Sequence, residues 1–465
     1  METVRKTYKE KLRPTPEQEH HFEVILWRCR TLYNAALEQR KTAWERCHVS
    51  LRRYQQEAEL AGIRADFPEY AAVHSHVLQD VLARLDKTYQ AFFERIKRGE
   101  KPGYPRFQGR NRWHSFTYKE YGNGARLDNG YLVLSKIGRI NVHWSRPITG
   151  TIKTVTISRE ADGWYVCFSC VEVPVNPLPH TGQETGIDLG LEAFATLADG
   201  SRIDNPRQYR KAEKALQKAQ RRVSRRKKGS RRRRKAVQLL ARKHQKVRRQ
   251  RTDCHHKRAL QLLRQYDVIY HEDLQTAHMV KNHHLAKSIT DAGWSAFLSI
   301  LSNKAACAGR SVVAVPPAYT SQACSGCGVL VAKGLSGRWH ACPECGTSLH
   351  RDHNAAKNIL WLGQSLRGVL AVAGAANREP VALEGVRSVS HCLSWPQKWI
   401  VAFVLVGIAD PTICLAEFPR RINVAEEGAK DRLNGLTMQG KLASGNLLEV
   451  LFCRPAGALR PGSEV

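Results

Sequence analysis

The sequence predicts an α/β fold for the second half of the chain, a mixed sheet with helices packed on it, preceded by an antiparallel β-domain that carries a helical insertion. Three observations support this. Apolar residues at helical spacing fill residues 16–98, period-two runs fill 99–180, and short apolar runs alternate with helical patterns from Thr185 onward.

Residues 1–15 alternate weakly through Val4, Tyr8 and Leu12 and stop at Pro14 and Pro16, which reads as a strand followed by a helix start. Phe22, Ile25, Leu26, Cys29, Leu32, Tyr33, Ala36 and Leu37 then recur at three and four, one buried stripe of an amphipathic helix. Val77, Leu78, Val81, Leu82, Leu85, Tyr89 and Phe92 repeat the pattern over about 75–98. Between Gly99 and Pro179 the pairs Leu132 and Leu134, Val155 and Ile157, and Trp164, Val166 and Phe168 alternate as strands do. These runs predict a small barrel or curved sheet to which the first strand belongs, with the helices inserted. Asn176 to Glu184 is a linker by composition.

Thr185 to Leu189 is a short apolar strand ending in an acidic residue. Phe194 to Leu197 is a second, and Asp199-Gly200 turns it into a third. Arg202 to Arg258 carries 25 Lys and Arg against three acidic residues, while Ala212, Ala215, Leu216, Ala219, Val237, Leu240 and Ala241 keep helical spacing. We read two basic helices broken near Gly229. Val268 to Tyr270 is another strand, followed by His271, Glu272 and Asp273. A His-rich loop (His278, His283, His284), a helix from Trp294 to Ala308, a strand Ser311 to Val315, a cysteine module and a helix from about Asn354 complete the order.

Composition narrows the partner. The formal charge is +32, with 74 Lys and Arg against 42 Asp and Glu, a field that repels itself unless a polyanion offsets it. The amino terminus lacks the apolar stretch of a secretory signal, and the longest apolar run, Trp399 to Ala409, is shorter than the roughly 18–20 residues of a spanning helix. Nucleic acid is therefore the expected partner and a membrane is not. The densest contacts are expected from Arg221, Arg222, Arg225, Arg226, Lys227, Lys228, Arg231, Arg232, Arg233 and Arg234.

Three carboxylates stand at coherent element ends: Asp188 and Glu272 close apolar strands, and Asp352 opens the last helix, where amide dipoles favour negative charge. Phosphodiester hydrolysis uses two divalent ions about 4 Å apart, and carboxylates are the hard ligands that suit magnesium or manganese. Gly186 and Gly190 flank Asp188, a backbone narrow enough for phosphate to approach. Asp273, pointing to the opposite face of its strand, is read as structural or supporting. Of 13 cysteines, Cys324, Cys327, Cys342 and Cys345 form two Cys-x-x-Cys-Gly knuckles, a thiolate cage for one structural zinc ion. Lys333, Arg338 and Trp339 lie beside it as nucleic-acid contacts. His340, His350 and His353 are read as surface or phosphate-contacting side chains, since four thiolates complete the zinc shell.

Five ordered blocks now carry a resemblance: GIDLGLEAFATLADG at 186–200, YDVIYHEDL at 266–274, MVKNHHLAKSITDAGW at 279–294, TSQACSGCG at 320–328 and HACPECGTSLHRDHNAAKNIL at 340–360. The chain resembles the TnpB family, the OrfB proteins of insertion sequences, over about residues 1–362. That resemblance implies an RNase H-like (RuvC) nuclease domain at 185–318 and 347–365 with a zinc ribbon at 319–346 inserted. It implies a wedge β-barrel from 1–15 and 99–180 with a helical recognition domain at 16–98. Residues 366–465, with an apolar patch from Trp395 to Ala409, form an extension without a family counterpart. The family's catalytic residues fall on Asp188, Glu272 and Asp352, and its zinc cysteines on Cys324, Cys327, Cys342 and Cys345. Relatives often have aspartate where His350 stands.

The resemblance further implies an RNA-guided DNA endonuclease of a transposable element that binds a guide RNA from the transposon end and cuts double-stranded DNA beside a short flanking motif. It would act as a monomer in a ribonucleoprotein in the prokaryotic cytoplasm, at the nucleoid. Two magnesium or manganese ions and one zinc ion are the implied cofactors. Rival readings are a miniature type V CRISPR effector and a catalytically idle RNA-guided regulator. A DNA-strand transposase in its own right would need a tyrosine or serine nucleophile set that the motifs do not supply.

Overall fold

The computed structural model describes residues 2–376 apart from 111, 335 and 336. Strand β1 (Thr3–Arg13) leads into helix α1 (Pro16–Cys47), which starts where Thr15 and Gln18 exchange hydrogen bonds as a capping box with Pro16 in the first turn. The stripe read from the sequence is the buried face of α1, extended by Arg40, whose charge is met by Asp86 and Gln56. Helices α2 (Arg53–Asp66) and α3 (Pro68–Ala71) precede α4 (Ser75–Lys97). After an irregular stretch come β2 (Ser115–Tyr118), β3 (Ala125–Asp128), β4 (Tyr131–Leu134), β5 (Gly138–His143), β6 (Thr151–Glu160) and β7 (Gly163–Pro174).

These strands form one seven-stranded antiparallel sheet in the order β2-β6-β7-β1-β5-β4-β3. The expected barrel is thus open: among the described residues its edge strands β2 and β3, four residues each, do not pair with one another. Helices take the place of closure. Phe22 of α1 packs against Phe116 of β2 and Trp164 of β7, and Arg84 of α4 donates to Ser115 and Thr117, so sheet and insertion share one core.

The linker Asn176 to Glu184 is pinned along its length. Asp267 accepts hydrogen bonds from Thr181 and Gly182, and buried Arg310 pairs with Asp267 at 2.6 Å while donating to the Pro179 carbonyl.

The second sheet contains β8 (Glu184–Asp188), β9 (Ala193–Leu197), β10 (Arg202–Asp204), β11 (Val268–Glu272) and β12 (Ser311–Val315), ordered β10-β9-β8-β11-β12. The pairs β8–β11 and β11–β12 are parallel and the others antiparallel, the mixed sheet that the element order predicts. Between β10 and β11 lie the two basic helices, α5 (Gln208–Ser224) and α6 (Arg231–Gln265), reversed at Gly229, whose φ is +84°. Asp291 supplies the missing cap of α5 by accepting from the Tyr209 and Arg210 amides.

The stretch read as a His-rich loop contains α7 (Thr276–Met279) and α8 (His283–Ala292), ahead of α9 (Trp294–Cys307). Strands β13 (Trp339–Ala341) and β14 (Ser348–His350) make the hairpin of the cysteine module, and α10 (Arg351–Ala376) follows at once. The extension expected from residue 366 therefore begins as helix. Its remainder, with the Trp395 to Ala409 patch, lies outside the described residues.

Strand β11 is buried on both faces, as its unbroken apolar run requires. Ile269 joins the core formed with α6, α8 and α9, whereas Val268 and Tyr270 join Ile359 and Leu362 of α10 on the other side. No described helix is long and apolar enough to cross a membrane.

Candidate active site and cysteine cluster

Alternation along the two central strands decides where their acidic ends point. Glu184, Gly186 and Asp188 share one face of β8, and Val268, Tyr270 and Glu272 share one face of β11. That face is the one α10 covers: Gln364 and Arg367 of α10 bond Glu184, and Tyr270 packs against Gly363. The parallel register sets Tyr270 beside Gly186 and His271 beside Ile187, so Asp188 and Glu272 leave neighbouring strand ends on the same side.

Gly186 makes the approach of α10 possible. A Cβ there would lie 2.2 Å from the Ala356 carbonyl oxygen and 2.5 Å from the Leu360 nitrogen. Its bare backbone therefore receives a helix, which corrects the expectation that it receives a phosphate. Gly190 does face the site, its missing Cβ falling 3.9 Å from Asp352 Oδ2. Asp352 sits in the first turn of α10, 8% exposed, with its amide donating to His350 Nδ1 at 3.2 Å.

Electrostatics couples Asp188 to the other two acids. Burial, then Glu272 and Asp352, push the Asp188 carboxyl up to about 8, with Arg351 opposing. Burial also raises Glu272, offset by a hydrogen bond from Thr320 and by Arg351. A carboxyl raised by burial and by neighbouring acids suits a divalent cation, which would restore its charged form. The fold thus brings Asp188, Glu272 and Asp352 within electrostatic reach of one another. Asp273 is exposed and continues the ladder to Val315 by its amide at 2.9 Å.

The sequence reading missed Thr320, Asn354 and Asn358. Thr320 meets Glu272, and both asparagines hold the chain just after it, at the Ala323 carbonyl. Their partners lie 30 or more residues away in sequence, beyond any local pattern.

The four cysteine sulfurs lie within 4.8 Å of one another, a closeness that no other set of three or more His, Cys, Asp or Glu side chains among the described residues reaches, the three acids included. Cys324 to Cys345 and Cys327 to Cys342 are both 3.6 Å apart, close to the ~3.8 Å edge of a thiolate tetrahedron with zinc–sulfur bonds of about 2.3 Å. The donor set fits zinc.

Two nearby histidines differ from expectation. His340 is fully buried with Nδ1 against Lys333 Nζ, and His353 bonds the Ala198 carbonyl at 3.1 Å, tying the β9–β10 hairpin to α10. Trp339 and Arg338 are exposed, and Arg338 lies 3.7 Å from Glu192.

Of the ten basic residues singled out, Arg221, Arg222, Arg225, Lys227, Lys228, Arg231, Arg232 and Arg234 are exposed and Arg226 is half-buried. Arg233 differs. It donates to the Val223 and Arg226 carbonyls at 2.9 and 3.1 Å, closing the end of α5, and is a structural cap rather than a free phosphate ligand.

Comparison with known proteins places these features in context. Residues 168–283 match the OrfB_IS605 family model, described as "Probable transposase", and residues 294–359 match the Cas12f1-like TNB domain. Residues 1–48 match a helix-turn-helix model of OrfB_IS605 proteins, although here that segment is β1 and one continuous helix.

A Streptomyces pristinaespiralis protein named "Putative RNA-guided DNA endonuclease" is 35% identical over 78% of this chain and 90% of its own length. InsQ of Escherichia coli K12, given the same description, is 29% identical over 77% of this chain and 92% of its own. The protein in a structure titled as a Cas12f1, single-guide RNA and target DNA complex superposes with a TM-score of 0.50 at 13% identity, covering 77% of this chain and 98% of that one. That likeness concerns the fold.

Proposed function

Because this chain belongs to the OrfB (TnpB) family of RNA-guided DNA endonucleases, we propose that it cuts DNA selected by a bound guide RNA, with Asp188, Glu272 and Asp352 as the catalytic carboxylates of a RuvC-type site. The observation that carries the assignment is the shared face. Two adjacent parallel strand ends and one helix start, packed through Gly186, set half-buried Asp188 and Glu272 and buried Asp352 on one side of the sheet.

Magnesium or manganese held there would supply an activated water and stabilise the leaving oxygen. The protein's own contribution is to hold the carboxylates on rigid elements, out of bulk water, with Arg351 in their field. The four cysteines hold one zinc ion with no open position, a structural site that fixes the approach to Asp352. The exposed basic tip of α5 and α6 binds RNA or guide–target duplex through phosphates, while base pairing supplies sequence specificity. One protein copy acts per ribonucleoprotein, on double-stranded DNA in the cytoplasm.

The test is to co-express the chain with its flanking locus, isolate the bound RNA, reprogram its 3′ segment and measure binding and cutting of matched and mismatched duplexes in magnesium. Asp188→Ala, Glu272→Gln and Asp352→Ala should each abolish cutting and leave guide-dependent binding nearly intact. Cutting that ignores the guide would remove RNA guidance, and near-normal cutting by any one variant would remove its residue from the catalytic set.

A further inference from the structure

We propose that Thr320 is a positioning residue for the cation site: its hydroxyl holds one oxygen of Glu272, leaving the second as the oxygen available to a divalent ion. The inference rests on the metal-dependent reading above and adds a residue to it.

The local chain is built to deliver this hydroxyl. Pro316-Pro317 ends β12, and Tyr319 adopts a left-handed conformation, φ 62°, with its carbonyl accepting from the Gln322 and Ala323 amides at 2.9 and 2.8 Å. The turn places Thr320 against Glu272 with 5% of its surface exposed, so the hydroxyl has to find its partner inside the protein. It carries one proton and has two acceptors, Glu272 Oε1 and the Pro317 carbonyl at 3.2 Å. The carboxylate is the nearer and the charged one, and a charged acceptor makes the stronger hydrogen bond.

Glu272 needs such a tether. It ends a strand, and its side chain turns about several single bonds.

The turn is itself fixed to the helix that carries Asp352. Asn358 Nδ2 donates to the Thr320 and Ala323 carbonyls, both at 2.8 Å. Asn354, wholly buried one turn earlier, donates to Ala323 at 2.7 Å and accepts from the Ser325 amide at 2.9 Å. Residues 320–325 therefore touch Glu272 at one end, reach Cys324 of the thiolate cluster at the other, and are bonded to α10 between. Position of the glutamate, the cysteine cage and the catalytic helix is set by one strap.

The experiment uses the full chain with its RNA. Manganese binding is followed by electron paramagnetic resonance and the magnesium dependence of cleavage is measured in parallel, for wild type, Thr320→Val, Thr320→Ser and Asp188→Ala. Valine keeps the shape and removes the hydroxyl, whereas serine keeps the hydroxyl. Loss of an outer-shell hydrogen bond typically costs about tenfold to a hundredfold in metal affinity or activity, so Thr320→Val should weaken manganese binding about tenfold and raise the half-saturating magnesium concentration by a similar factor.

Zinc content and guide-dependent DNA binding should stay at wild-type values, and Thr320→Ser should behave as wild type. If valine lowers the zinc content, a methyl in place of the hydroxyl has shifted the strap and Thr320→Ala takes its place in the same comparison. Wild-type manganese affinity in the hydroxyl-free variant overturns the proposal, and so does a serine variant as weak as valine, which would make the effect one of folding. Absence of Asp188-dependent manganese binding in the wild type would sink the metal-site reading itself, and this inference with it.

Discussion

Replacing Gly186 by alanine tests whether the seating of α10 on β8 sets the active site. The added Cβ would stand 2.2 Å from the Ala356 carbonyl oxygen, where real Cβ atoms essentially never come within 3.0 Å. The difference, at least ~0.8 Å, has to be taken up by helix backbone rather than by a side chain that can turn aside, because both nearest atoms are main chain. Asp352 rides on that helix one turn before Ala356.

A misplacement of about 1 Å costs a reaction on the order of a hundredfold, and overpacking a core costs roughly 1–3 kcal/mol of stability. Gly186→Ala should therefore lower the cleavage rate constant about a hundredfold at saturating magnesium, lower Tm by several degrees, and leave RNA binding unchanged. Gly190→Ala is the comparison, since its Cβ meets Ala193 at 3.0 Å and Asp352 only at 3.9 Å. It should lose less than about tenfold. Wild-type cutting and Tm in Gly186→Ala would refute the packing described.

Metal analysis of dialysed protein should find one zinc per chain, absent from a Cys324→Ser and Cys327→Ser double variant together with most cleavage, and a wild-type value near zero would exclude the cage. In metal-free protein Asp188 is raised from 3.8 to about 8, so the folded state holds a proton that the unfolded chain releases, and stability falls as pH rises between those values. Asp188→Asn should then raise Tm in chelator at pH 8 and change little at pH 4; equal Tm at both would contradict the buried repulsion. Neutralising Arg221, Arg222, Arg225 and Lys228 should weaken RNA binding without regard to guide sequence and shallow the salt dependence by roughly 0.7–0.9 for each phosphate no longer neutralised. Arg233→Ala should instead lower Tm with an unchanged slope, because its guanidinium is engaged by the Val223 carbonyl of α5 and the Arg226 carbonyl just beyond it.

What the sequence disclosed and what it hid divide by range. The stripe of α1, that of α4 as far as Leu85, and the acidic ends of β8 and β11 rest on residues a few positions apart, and each is present as read, with Tyr89 and Phe92 only half-buried. The cysteine knuckles were legible because chelation needs fixed short spacing. Features settled by distant partners were not. Asn176 to Glu184 has linker composition, yet Asp267 and Arg310, some 85 to 130 residues on, fasten it. Gly186 looked like room for a phosphate because nothing near it announces the helix 170 residues later. The open sheet likewise depends on α1 and α4 covering a face, a tertiary choice invisible in strand alternation.

The three acids lie at positions 188, 272 and 352, on segments that meet only when α10 docks. A ribosome making this chain thus releases the basic helices first and the last carboxylate much later. On the proposed roles, the nascent chain would carry its RNA-binding helices well before its last carboxylate, and a product that stops short of α10 would bind RNA without cutting. Long-range closure of this kind is slow relative to local helix formation, so the basic helices stand complete before the three acids meet.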